Sequence, residues 1–150
     1  MARTAGRAGV VGAVVAIVGV VFTVAGVVTW FVVADQLSAE QITVSKDADF
    51  LAGQDVTGPF TAYAQAQVIN KHALEATGGK TYAELEQDDP ARTTAMQASF
   101  LRASLFPSVV AFGVAALAVV LGIVLVLIGW SLRSLAAGMP RAPAAVDGDV

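Results

Sequence analysis

Residues 10–34 read VVGAVVAIVGVVFTVAGVVTWFVVA, 25 positions without a charged side chain. A second run, PSVVAFGVAALAVVLGIVLVLIGWSL at residues 107–132, has 26 such positions. A helix rises about 1.5 Å per residue, so roughly 20 apolar residues cross a hydrocarbon core about 30 Å thick. Both runs exceed that length. Residues 35–106 are too few to hide two such helices in a globular core. Composition agrees: 56% of the chain is hydrophobic and only 14% charged, where about 25% charged is usual for a soluble domain.

The sequence therefore predicts an all-α membrane protein, a two-transmembrane-helix hairpin with a small helical extracytoplasmic cap. The expected segments are an N-terminal tail (1–8), a first span (9–34), the outer segment (35–106), a second span (107–132) and a disordered C-terminal tail (133–150).

Orientation follows from Lys and Arg in short flanking segments. Arg3 and Arg7 precede the first span and Arg133 follows the second. Both termini are therefore expected in the cytoplasm, with the protein in the plasma membrane. The outer segment has ten acids and five bases. Arg3, Arg7, Arg133 and Arg141 outnumber Asp147 and Asp149 in the tails. Trp30, Phe31 and Trp130 fall at the span ends, where aromatic residues favour the interface. A signal peptide cleaved after Ala34 is the competing reading of the N-terminus. The apolar run is too long for one, since an h-region has about 7–15 residues, so an uncleaved anchor is expected.

Within the first run small residues recur at Gly9, Gly12, Ala16, Gly19, Thr23 and Gly26, in steps of 3, 4, 3, 4 and 3. This is the spacing of a left-handed helix pair. The second run has Ala111, Ala115, Ala118, Gly122 and Gly129, with Leu125 interrupting the series. Lipid is as apolar as leucine, so membrane helices associate by close backbone approach at small residues. The predicted helix-packing positions are Gly12, Ala16, Gly19, Thr23, Gly26, Ala115, Ala118, Gly122 and Gly129. The pattern leaves open whether the partner is the other span, a second copy in a homo-oligomer or another membrane protein. Neither run holds an ionisable group, which argues against a pump or proton-coupled transporter.

Between the runs, Asp35-Gln36-Leu37 extends the first helix, and ITVSKDADF and LAGQDVTGPF read as extended chain and connector. A helix is expected from Pro59, suited to the first turn, with Ala62, Ala66, Ile69, Ala73 and Ala76 on one stripe. Gly78 would stop it in the left-handed region. Thr81 to Glu84 fits a capping box that opens a short helix. Asp88 or Asp89 before Pro90 would cap a third helix, with Met96, Phe100, Ala103 and Pro107 on one side. Pro107 would either begin the second span or kink a continuous helix.

Candidate chemistry is sparse. With no cysteine, disulfides, thiolate metal sites, a cysteine nucleophile and lipid attachment at cysteine are excluded. Gly79-Lys80-Thr81 matches the end of a phosphate-binding loop, but that motif needs glycine where Leu74 stands and a preceding strand. No nucleotide is expected. Nor is nucleic acid, since no basic stripe exists to neutralise phosphates. His72 is the only histidine, and a metal site needs several ligands. Glu84, Glu86, Asp88 and Asp89 lack a calcium-loop rhythm and read as caps. No catalytic, cofactor-binding or metal residue is assigned. The lipid bilayer is the one partner the sequence specifies.

The strings DADFLAGQDVTGPFTAYAQAQVI, HALEATGGKTYAELEQDDPAR and SFLRASLFPSVVAFGVAAL resemble a family of short actinobacterial two-span membrane proteins. That family is commonly labelled "aromatic ring-opening dioxygenase LigA". The resemblance covers nearly the whole chain and implies a membrane location. Its label implies a subunit of an extradiol-type dioxygenase, although no residue here matches an iron-ligand motif. The residues themselves point to a structural, interaction or accessory membrane component.

Overall fold

A computed structural model describes residues 2–138, with side chains from Gly6 onward. The Arg3 side chain and the stretch holding Arg141, Asp147 and Asp149 lie outside the described residues. Among the described residues there are three helices: α1 (Ala2–Ala39), α2 (Pro59–Ala76) and α3 (Ala91–Gly138). Among the described residues there is no strand, only an isolated antiparallel bridge between Thr43 and Asp55. Both α1 and α3 are long and apolar enough to cross a membrane.

The helices overrun the expected spans. Helix α1 continues to Ala39, as Asp35-Gln36-Leu37 suggested. Helix α3 passes through Pro107 without a break. Proline removes one helical N–H and crowds the preceding turn, and the long helix absorbs this cost locally. Residues 133–138, expected in a disordered tail, are helical as well. Leu, Arg and Ala are good helix formers, so the helix does not end where the apolar run does.

The chain forms two compact units. One pairs α1 up to Gly26 with α3 from Leu117 onward. Its buried residues, among those described, are Gly12, Gly19, Gly26, Gly122 and Gly129, all glycine. Large apolar side chains point outward: Val10 is 65% exposed, Ile17 64% and Leu117 65%. A helix from a water-soluble core would be mostly buried, yet only 17% of the most apolar window of either helix is. Contiguous exposed apolar surface beyond a few hundred Å² marks an interaction or membrane surface.

The other unit, Val27–Ala116, has a conventional core. Leu37, Val44, Val56, Leu105 and Phe112 are buried together with Ala62, Ala64 and Ala66. Trp30 stands edge-on to Phe112 with centroids 4.7 Å apart. Residues 41–56 double back as a small hairpin: the Val44 N–H donates to Gln54 O at 2.8 Å, and the Val56 N–H to Ile42 O at 2.8 Å. This turns Val44 and Val56 inward.

Helix α2 starts after Gly58, whose N–H donates to Thr61 Oγ1 at 3.2 Å, with Pro59 in the first turn. It ends as a Schellman motif: the Gly79 N–H reaches Leu74 O at 2.7 Å and the Gly78 N–H reaches Glu75 O at 3.4 Å. Gly78 at φ 63° and Gly79 at φ 85° supply the left-handed backbone. The buried surface of α2 is wider than the predicted stripe. Ala64 and Val68 are buried as well as Ala62 and Ala66, while Ala76 is exposed. The reason is that α2 is contacted from two sides. Tyr63 and Asn70 meet α3, whereas Gln65 and His72 meet the hairpin at Ser45 and Asp47.

The short helix expected from Thr81 does not form. Its capping contacts do: Glu84 Oε2 accepts from the Thr81 N–H at 2.8 Å and from Thr81 Oγ1 at 2.7 Å. They close a single turn, with the Glu84 N–H on Thr81 O at 3.1 Å. Too few residues separate Gly79 from Pro90 for propagation to offset the cost of nucleation. Asp89, not Asp88, caps α3, its Oδ1 accepting from the Ala91 N–H at 2.8 Å. The Met96 and Phe100 side of α3 is exposed, and Ala95 and Leu105 form the buried side.

Candidate functional site

The most specific geometry in the molecule is a pair of glycine–glycine contacts between α1 and α3. A Cβ built on Gly19 would lie 2.6 Å from Gly122 O, and one built on Gly122 would lie 2.6 Å from Gly19 O. Gly12 and Gly129 repeat the arrangement, at 2.7 Å and 2.5 Å. Each glycine thus turns its Cα hydrogen toward the carbonyl of the other, the geometry of a weak Cα–H···O contact. A step of seven residues forward on α1 is met by seven backward on α3, so the two segments run antiparallel. No side chain larger than hydrogen fits at these four places.

Two of the other predicted packing residues, Ala16 and Thr23, lie against this contact. Ala16 lies against Gly129, and its backbone N is 2.6 Å from the built Cβ there. Thr23 lies against Gly122, and its hydroxyl donates to Gly19 O at 2.9 Å, which satisfies it inside the helix. Gly26 is buried and Ala118 half-buried. Ala115 is buried in the other unit, where Phe112 and Trp30 also pack. Gly9 makes an ordinary contact, its built Cβ 3.7 Å from the Ala136 Cβ.

The second candidate is a cleft of about 430 Å³ between the hairpin and α2, bordered by Asp47, Asp49, Phe50, Lys71 and Glu75. His72 is not isolated there. Its Nε2 shares a 2.6 Å hydrogen bond with Asp47 Oδ2, and Lys71 Nζ is 4.0 Å from the same oxygen. The hydrogen bond with His72 is the main reason Asp47 is held below the usual carboxylate range, with the nearby Lys71 charge adding to it. Hydrogen bonds from Thr81 lower Glu84 in the same way. All these groups are exposed to solvent. No cluster of three or more metal-ligating side chains occurs among the described residues.

The Gly-Gly-Lys-Thr run is occupied by helix termination, since the amides of Gly78 and Gly79 are committed to carbonyls of α2. Two arginines that the sequence did not mark out tie this region together. Arg92 donates to Leu85 O at 2.6 Å and lies 4.1 Å over the Tyr82 ring. Arg102 donates to Asn70 Oδ1 at 2.7 Å and covers Phe106. The His72–Asp47 and Arg102–Asn70 pairs join residues 25 and 32 apart, and no local pattern announces either. Comparison of the chain finds no matching family model, no matching curated protein and no matching solved structure.

Proposed function

We propose that the chain is an integral membrane component with a structural or interaction role. In this reading a two-span hairpin in the plasma membrane carries residues 35–106 as a mostly helical outer cap, with both tails in the cytoplasm. One observation carries it: among the described residues, the unit built from α1 and the end of α3 is buried only at glycines, and its charge-free runs expose large apolar side chains. Such a surface suits hydrocarbon and is costly in water. Arg7 and Arg133, flanking the two apolar runs, support the orientation. The glycine stripe faces the partner helix of the same chain, so a second copy or another membrane protein would be met through other surfaces.

The absence of cysteine makes a direct test available. Lys80→Cys should react with a membrane-impermeant maleimide on intact cells, and Ser134→Cys only after permeabilisation. The opposite labelling overturns the topology, and release of the protein by alkaline carbonate overturns the membrane reading. A second reading comes from the resemblance to the family labelled as ring-opening dioxygenases, namely a subunit of such an enzyme. It predicts stoichiometric iron in the purified protein that is lost in His72→Ala. Iron-free protein with unchanged properties in that variant removes it.

A further inference from the structure

We infer that residues 35–106 have a second membrane-contacting surface, the start of α2, which lies in the lipid headgroup interface. This rests on the proposal that residues 107–132 span a bilayer. Two contacts set the direction of α2 along α3. Tyr63 stands edge-on to Phe106 with centroids 6.3 Å apart, and Asn70 accepts from Arg102 at 2.7 Å. Moving from residue 63 to 70 on α2 therefore moves from 106 to 102 on α3, away from the apolar run that begins at Pro107. The N-terminal end of α2 is its membrane-proximal end.

That end has the composition of an interface anchor. Val56 to Asn70 carries no charge. Phe60 is 75% exposed and Tyr63 40% exposed, one helical turn apart, and Phe50 at 42% adjoins Tyr63 with centroids 6.3 Å apart. Two aromatic rings, Phe60 and Tyr63, left out of the core so near the start of a span fit the headgroup layer, which favours rings with one wet and one apolar side. Charge begins only at Lys71. Eleven residues of helix separate it from Phe60, about 16 Å at the usual rise. The headgroup layer is roughly 5–8 Å deep on each side of the hydrocarbon. Lys71, His72 and Glu75 therefore clear it while Phe60 stays within it. Asp49 and Phe50 both border the cleft shared with Lys71 and Glu75, on the wet side.

Single-tryptophan proteins in phosphatidylcholine vesicles test this, using the full chain and lipids brominated at the upper chain. Trp130→Phe leaves Trp30 as the membrane reference. Phe60→Trp and Glu75→Trp are each placed in a Trp30→Phe, Trp130→Phe background. Bromolipid should quench the Phe60→Trp protein nearly as strongly as the Trp30 reference and leave the Glu75→Trp protein unaffected. A quenched reference with an unquenched Phe60→Trp protein overturns the inference alone. If the reference is itself unquenched, the membrane reading fails and the inference with it. Blue-shifted Phe60→Trp emission that follows protein-to-lipid ratio and ignores bromine assigns the surface to a second copy, which also overturns it.

Discussion

The two units are held together by opposite means. In one, every buried residue described is a glycine, and the helices meet backbone to backbone. In the other, valine, leucine and phenylalanine side chains fill a core around an alanine-lined α2. In water, burying a large apolar side chain is worth about 1.5–3 kcal/mol, so a unit facing water gains by turning such groups inward. In hydrocarbon that gain vanishes, and association depends on how closely backbones approach. In the proposed membrane arrangement, the contrast between glycine inside and leucine inside is a difference in solvent.

Substitution should break the two units by different routes. The largest effect is expected at Gly122→Leu or Gly19→Leu, because a side chain there meets the opposing backbone and the helices must separate. Disulfide formation reports this. Gly9→Cys with Ala136→Cys should close readily, since the built Cβ of Gly9 is 3.7 Å from that of Ala136, near the ~3.8 Å mean of disulfides. Adding Gly122→Leu should abolish the crosslink. Gly113→Leu on the same helix should leave it intact, because nothing lies within 4 Å of that position. An undiminished crosslink in the Gly122→Leu protein would show that the glycine contact does not hold the pair.

Next in size is Leu105→Ala, which empties a buried site in the core of the Val27–Ala116 unit and should cost about 2–5 kcal/mol in denaturant titration of the full chain in detergent. The same substitution at Leu117, 65% exposed in the other unit, should change little. A smaller loss, about 1 kcal/mol, is expected for Asp89→Ala, which removes the cap of α3.

The smallest effect is acid dependence. Asp47 and Glu84 sit below the usual carboxylate range in the fold. Their contribution is therefore present above that range and is lost as pH falls through the lowered values. Solvent screening keeps it slight. Asp47→Asn should lower stability slightly near neutrality and leave it unchanged at low pH, which flattens the acid limb of the stability curve. A loss as large at acid pH as at neutral pH would contradict this.

Much of the Val27–Ala116 unit was legible where local chemistry decides. Pro59 starts α2, Gly78 ends it and an acid before Pro90 caps α3, because these depend on one or two residues and their own dihedrals. Thr81–Glu84 shows the limit of such reasoning. The capping contacts form as written, but a cap does not guarantee a helix when the chain must turn again within a few residues. His72 shows another limit. A lone histidine in a row of residues is silent about an aspartate 25 positions earlier.

The sequence by itself determined the two long apolar helices, since charge-free length and small-residue spacing are one-dimensional properties that hydrocarbon thickness and helix pitch convert directly into structure. Only the tertiary structure decided what those small residues face. An unpaired glycine and a packed one look alike in sequence, and Gly113 in open space and Gly122 against Gly19 differ only in what the fold brings opposite them. Likewise it took the fold to place Tyr63 beside Phe106, because an aromatic residue is core or anchor according to which neighbours cover it.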